Sequence, residues 1–245
     1  MNERQKKILA GVVREYTEKA EPVGSKVLAE KYGLKASSAT IRSDMSILEE
    51  EGYLFQPHTS AGRIPTDKGY RYFVSEIMED RELSLAEQKK LQAEFLKLKA
   101  QHSRMSRTMA KVLSSFSGSL AITGTEKEVY DFGIRELLEN PEFQEVDEFC
   151  RVAEVLDYID ENIDKIFEKV REGETQIFIG SENPIKKISN CSMVVSPYKT
   201  KEGERAILAL IGPKRMEYAK NKSLLDFVKG ILGGSLGVII FINFI

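Results

Sequence analysis

Apolar positions along the chain fall into two regimes, one helical and one mixed. Ile8, Leu9, Val12, Val13 and Tyr16 repeat at a 3.6-residue period and predict a first helix. Glu21-Pro22-Val23-Gly24 breaks it. Ser25 caps a predicted second helix over Lys26–Tyr32, with Val27, Leu28 and Tyr32 inward and Gly33 as a left-handed end. A third helix starts at a cap from Ser37 or Ser38, runs to Glu51 and stops at Gly52. Its Ile41, Met45 and Leu48 form an inward face. The first turns on its other side carry Ser38, Thr40, Arg42 and Ser43, short hydrogen-bonding side chains beside one guanidinium. Tyr53–Gln56 then reads as a strand with Ile64 returning beside it, which makes His58–Arg63 a hairpin tip. Gly62 is expected to supply a turn with positive φ, Pro65 to end the strand, and Thr66 to cap a helix over Asp67–Met78.

Helix, turn, helix and hairpin together predict an N-terminal winged helix-turn-helix domain over residues 1–75. In such a unit the third helix shows its first turns to base edges in the major groove. Ser37, Ser38, Thr40, Arg42 and Ser43 on the helix are therefore candidate DNA-binding residues, with His58, Thr59, Ser60 and Arg63 on the hairpin. Thr59 and Ser60 suit phosphate oxygens, and Arg63 suits phosphate or an adjacent minor groove. A plain three-helix core would show the same apolar pattern, and the hairpin would then be a surface loop.

Farther along, Leu91, Phe95, Leu98, Met105, Met109 and Val112 recur at steps of mostly four and three. This stripe predicts a long helix over the linker segment 76–115 that pairs with another helix. Leu91, Phe95, Leu98, Met105 and Met109 are its candidate dimerisation residues; the stripe would equally serve packing within its own domain. His102 interrupts it as a seam residue. From Phe116 the pattern becomes mixed, and 116–230 reads as an α+β domain. Its expected elements are a strand at Leu120–Thr123, a helix at Glu128–Leu138 and a long acidic helix at Gln144–Glu172. Strands follow at Gln176–Ile179, Cys191–Ser196 and Ala206–Ile211, then a last helix at Met216–Leu232. The run Ile231–Ile245 is apolar and uncharged, shorter than the roughly 20 residues a spanning helix needs. It reads as a sticky strand, an aberrant end or a membrane tail.

Charge changes this picture modestly. Net charge is −2, but residues 81–111 carry eight Lys/Arg against three Glu, while 126–174 carry 17 Asp/Glu against six Lys/Arg. Opposite halves hint at a polyanion-facing part and a part facing elsewhere, and solvated helix faces would look the same. The first 75 residues hold 12 basic and 10 acidic side chains, a weak nucleic-acid signal on their own. Cys150 and Cys191 show no pairing pattern, and the N-terminus is charged and amphipathic, so a reducing cytoplasmic location is expected. No phosphate-binding loop, dinucleotide fingerprint, nucleophile elbow or metalloprotease motif occurs, and the two histidines lie far apart. No catalytic residue, metal, cofactor or small-molecule substrate is therefore expected. Glu154, Asp157, Asp160, Glu161 and Asp164 read as a solvated face.

EPVGSKVLAEKYGLKASSATIRSDMSILEEEGYL (Glu21–Leu54) and PHTSAGRIPTDKGYRYF (Pro57–Phe73) resemble the winged-helix domain of the heat-inducible transcription repressors of the HrcA family. YDFGIRELLENPEF (Tyr130–Phe143), ISNCSMVVSPY (Ile188–Tyr198) and LALIGPKRMEYAKNKSLLDFV (Leu208–Val228) resemble later parts of the same family. The resemblance implies a homodimeric repressor that binds an inverted-repeat operator in double-stranded DNA upstream of chaperone operons and leaves it on heat stress. It also implies a GAF-like second domain and a GroEL-type chaperonin as partner. Family members are longer; the missing part falls between Leu120–Thr123 and Tyr130, where the family has further strands and an inserted dimerisation segment, so the second domain is expected as a truncated GAF-like one. The alternative is a shortened winged-helix interaction module with non-specific DNA or protein binding, or a membrane-tethered one.

Overall fold

The computed structural model describes residues 1–98, 105–144, 159, 162–200 and 203–232. The chain divides into two units, one of Met1–Glu79 with Lys214–Glu217 and one of Asp80–Pro213 with Tyr218–Ile245.

The first unit contains α1 (Glu3–Lys19), α2 (Ser25–Lys31), α3 (Ser38–Glu50), β1 (Leu54–Phe55), β2 (Ile64–Pro65) and α4 (Asp67–Tyr72), which runs into a π-helical turn at Phe73–Ile77. Asn2 caps α1 by accepting from the Gln5 backbone while Gln5 reaches back to the Asn2 N–H, a reciprocal pair that satisfies two orphan donors. Gly24, not Ser25, occupies the cap position of α2, one residue earlier than the pattern suggests. The core is Ile8, Leu9, Val12, Val13, Leu28, Ile41, Met45, Leu48, Leu54 and Tyr70. Two buried carboxylates tie the helices together. Asp44 of α3 accepts from Arg4 Nε at 2.6 Å. Glu15 of α1 accepts from Lys31 at 2.9 Å, from Lys19 at 3.0 Å and from the Tyr32 hydroxyl at 3.1 Å. Its hydrogen bond from Lys31, then that from Lys19, holds the Glu15 carboxyl down at about 2.

The second unit contains α5 (Leu85–Leu98), α6 (Met105–Ser117), β3 (Leu120–Thr125), β4 (Val129–Phe132), α7 (Ile134–Leu138), the helical residues 162–169 (α8), β5 (Gln176–Ile179), β6 (Cys191–Lys199), β7 (Arg205–Pro213) and α9 (Tyr218–Leu232). The strands form one antiparallel sheet in the order β4-β3-β7-β6-β5. One face, with Leu120, Ile122, Cys191, Met193, Val195, Ile207, Ala209 and Ile211, packs on Leu137 of α7 and on Ile163, Ile166 and Phe167 of α8. The alternate residues Ala121, Thr123, Val194, Leu208 and Leu210 are buried as well. On that face Thr123 Oγ1 donates to the Ser106 carbonyl of α6 at 2.7 Å, and Ser192 shares a 2.8 Å hydrogen bond with the Tyr218 hydroxyl of α9. A sheet covered on both faces needs apolar residues at consecutive positions, which is why β6 and β7 read as unbroken apolar runs.

Several expectations change here. The stripe does not form one long helix. Lys90 Nζ of α5 lies 5.1 Å from the ring centroid of Phe116 at the end of α6. Along a single straight helix those positions would stand roughly 39 Å apart, so the chain doubles back. Leu91, Met109 and Val112 are 0, 2 and 7% exposed. They fill the second unit's interior, and the expected dimerisation surface is corrected to an internal seam for Leu91 and Met109. The side chains of Phe95, Leu98 and Met105 lie outside the described ones, as do His102 and Lys99. Segment 80–115 accordingly belongs to the second unit and is not a separate linker.

The helix expected at Glu128–Leu138 splits into β4 and α7, because Val129–Phe132 pairs with β3 and Gly133, at φ 99°, turns the chain into α7. A tight turn closes β3 on β4, with the Thr125 N–H donating to the Glu128 carbonyl at 2.9 Å. A Cβ on Gly124 would lie 2.1 Å from that carbonyl oxygen, so this turn admits only glycine there. The hairpin occupies the stretch in which the resemblance implies missing sequence. Of the acidic helix, only Ile159 and 162–172 are described, with Ile159, Ile163, Ile166 and Val170 buried as expected. Glu154, Asp157, Asp160 and Glu161 lie outside the described residues, as does the apolar tail beyond Leu232.

Candidate nucleic-acid interface

α3 is set by its ends and by its inward stripe. Ser37 accepts from the Thr40 N–H at 3.2 Å and so caps the helix, and its hydroxyl also bonds the Thr40 hydroxyl at 2.9 Å. Ile41, Met45 and Leu48 are at most 1% exposed, and this fixes the rotation of the helix about its axis. The consequence is that Ser37, Ser38, Ala39, Thr40, Arg42 and Ser43 are all exposed around its first two turns. The Arg42 guanidinium has no hydrogen-bond or ion-pair partner among the described residues. Ser37 and Thr40, expected as contact residues, thus already hold the helix start.

The hairpin is short and tightly built. β1 pairs with β2 through Leu54↔Pro65 and Phe55↔Ile64. Pro65 is the last residue of the ribbon and ends the strand as expected, with Thr66 already capping the next helix. His58, Thr59 and Ser60 are exposed at the tip. The Ala61 N–H donates to the His58 carbonyl at 2.8 Å, closing the turn. Gln56 Nε2 donates to the carbonyls of Thr59 and Ala61 at 3.1 and 2.9 Å and ties the tip from inside. Thr66 caps α4 by accepting from the Gly69 N–H.

Arg63 departs from expectation. It is 7% exposed and lies at the base of the hairpin, not on its tip. Its backbone exchanges hydrogen bonds with Val23 at 2.9 and 3.0 Å. Its guanidinium donates to Glu49 Oε2 at 2.9 Å and to Ser46 Oγ at 3.0 Å, both on α3. The expected direct contact with phosphate or minor groove is corrected: those donors are already spent bracing the hairpin against α3. Gly62 has no positive φ. It is needed because a Cβ there would meet the Val23 carbonyl carbon at 2.4 Å, where the two backbones cross. Nothing in the local sequence marks Val23 as Arg63's partner, so the brace is a tertiary feature.

Sequence reasoning also missed Ile47. It is 39% exposed and sits one turn beyond Ser43 on the outward side of α3. Its i+4 spacing from Ser43 was the available signal. Among the described residues no group of three or more His, Cys, Asp or Glu is placed to hold a metal ion, and no helix is long and apolar enough to cross a membrane.

The family model for the HrcA protein C-terminal domain matches residues 70–221. A heat-inducible transcription repressor HrcA of Carboxydothermus hydrogenoformans is 28% identical over 338 aligned residues, covering 97% of this chain and 98% of the relative. The alignment is longer than this chain's 245 residues, so the relative has internal sequence this chain lacks. The repressor of the same name from Acetivibrio thermocellus is 55% identical over 87 residues, 36% of this chain and 25% of the relative. A solved structure described as a hypothetical protein shares the fold, with a TM-score of 0.76, 19% identity and coverage of 95% of this chain and 98% of that one. With more than half of its length matched by the family model, this chain belongs to the HrcA family.

Proposed function

We propose that the chain is a DNA-binding transcription repressor, and that its first unit is a winged helix-turn-helix whose α3 enters the major groove. The observation that carries this is the exposed polar start of α3 beside an exposed hairpin tip, on a unit whose other faces of α3 are spent on its core. Arg42 is the base reader: an unpaired guanidinium fork early in the helix matches guanine O6 and N7. Ser38 and Ser43 add hydrogen bonds, and Ile47 and Ala39 offer apolar surface to thymine methyl groups. The N-terminus of α3 attracts phosphate through its free N–H groups. His58, Thr59 and Ser60 hold the backbone beside the groove as the wing, and Arg63 positions that wing without touching DNA.

The relatives are named heat-inducible transcription repressors, which supports repression of stress genes through an inverted-repeat operator. The first 75 residues are barely basic, so two copies on one duplex are needed for useful affinity. The second unit, read as GAF-like, then serves assembly and heat release, with a chaperonin as the partner that sustains the active form. A gel shift with DNA upstream of the organism's own chaperone genes tests the reading. Retardation of that DNA and not of a scrambled duplex is expected; equal retardation of both would reduce the chain to a non-specific binder. Operator release on heating that added chaperonin reverses supports the partner, and indifference to chaperonin removes it.

A further inference from the structure

At the hairpin end of the second unit's sheet, β5 is shorter than its neighbour. Its pairing with β6 stops at Gln176↔Val195, while β6 continues to Lys199. The notch beyond β5 is a cavity of about 320 Å³. Its walls are Phe167, Val170, Pro197 and Ala206, and three cations, Lys199, Arg205 and Lys229, stand around it against one carboxylate, Glu172. Each cation is fixed by a bond that leaves donors over. Lys229 Nζ gives one hydrogen bond, to the Gly173 carbonyl at 2.7 Å, out of three donors. Lys199 Nζ stands 3.5 Å from Glu172, a loose pair. Arg205 donates to the Phe167 carbonyl at 2.9 Å and to Glu126 at 3.3 Å, and lies 5.4 Å from the Phe167 ring centroid. The half-buried Tyr198 also lines the cavity, and its hydroxyl makes no hydrogen bond among the described residues.

The geometry points to a binding site for a small organic anion with a flat apolar body, of the aromatic carboxylate class, in this notch. The carboxylate lies between Lys199 and Lys229 and accepts from the Tyr198 hydroxyl, and the ring rests on Phe167, Val170 and Pro197. The volume fits: small-molecule sites begin at roughly 300 Å³ and combine apolar walls with a few convergent polar groups. Charge fits too: Glu172 faces Lys199 and Glu126 faces Arg205, so Lys229 leaves a surplus of one positive charge, which favours an anion over its neutral analogue. Burial pushes the Tyr198 phenol up to about 12, so it stays protonated and able to donate at neutral pH. The site is independent of DNA binding by the first unit.

Isothermal titration calorimetry on the full chain tests it with benzoate, benzyl alcohol and inorganic phosphate as probes. Saturable benzoate binding is expected, with benzyl alcohol and inorganic phosphate each weaker by about tenfold or more, since each lacks one half of the recognition. Lys229→Gln and, separately, the more exposed Lys199→Gln should weaken benzoate by about tenfold, and Tyr198→Phe by several-fold, with melting curves unchanged. Lys89→Gln, an exposed lysine of α5, should change nothing. Equal binding of benzyl alcohol, equal binding of inorganic phosphate, no saturation by benzoate, or indifference to both lysine variants would each overturn the assignment.

Discussion

In the first unit, α3 has an inward stripe and an exposed polar side; in the second, α5 and α6 carry a stripe just as regular, and its described side chains are buried inside their own unit. On paper the two looked alike as interaction helices. They differ in what the opposite side has to do. α3 stands at the surface of a small core that needs only one of its faces, so its first turns are left over for a ligand. α6 roofs one face of a five-stranded sheet and doubles back against α5, so its apolar stripe is consumed at home. Spacing thus reveals that a helix has an apolar side, and the neighbours decide whether that side is an interface or a core.

The sharpest way to break the comparison is Leu91→Ala. If the stripe is core, the substitution costs about 2–5 kcal/mol of the second unit's stability, seen in calorimetry as a lowered transition. Analytical ultracentrifugation that instead shows a dissociated but equally stable protein would restore the stripe as a dimer surface. Arg63→Ala is next. Losing the charge-assisted bonds to Glu49 and Ser46 should cost about 2–3 kcal/mol in the first unit and weaken specific and non-specific DNA alike. Thr59→Ala at the tip should weaken DNA binding without moving the melting temperature. If Arg63→Ala melts like the wild type, the brace is not what holds the wing.

Arg42→Ala should leave both units' melting unchanged, cost about 1–3 kcal/mol in operator affinity and relax specificity at one position per half-site. An unchanged ratio between operator and scrambled DNA would remove the base-reading role. The smallest effect expected is a pH dependence confined to the first unit. The folded-state carboxyl of Glu15 sits at about 2, below the usual carboxylate value of 4.5, so its contribution to stability is complete above that value. That contribution is lost as pH falls from about 4.5 towards 2, and Glu15→Gln should flatten this part of the curve. Urea melts of the first unit at neutral and acid pH check it; a variant with the wild-type acid slope would place the linkage elsewhere.

What the sequence determined alone is local. Caps at Ser37 and Thr66, the left-handed Gly33, the inward triad Ile41, Met45 and Leu48, and the strands Gln176–Ile179, Cys191–Ser196 and Ala206–Ile211 follow from periods, caps and turn residues within one element. So does the exposure of Ser38, Arg42 and Ser43, because a fixed inward face dictates the outward one. What only the tertiary structure decided involves residues distant in sequence. Arg63 leaves the hairpin tip because Val23, Ser46 and Glu49 offer it acceptors in space. Leu91 and Met109 become core because the chain doubles back onto a sheet whose strands come later. Val129–Phe132 turns from expected helix into β4 because β3 supplies a ladder that a single-segment pattern does not contain. Backbone hydrogen bonds and burial are satisfied by whichever partner the fold brings near, and a period along the chain carries no information about that partner.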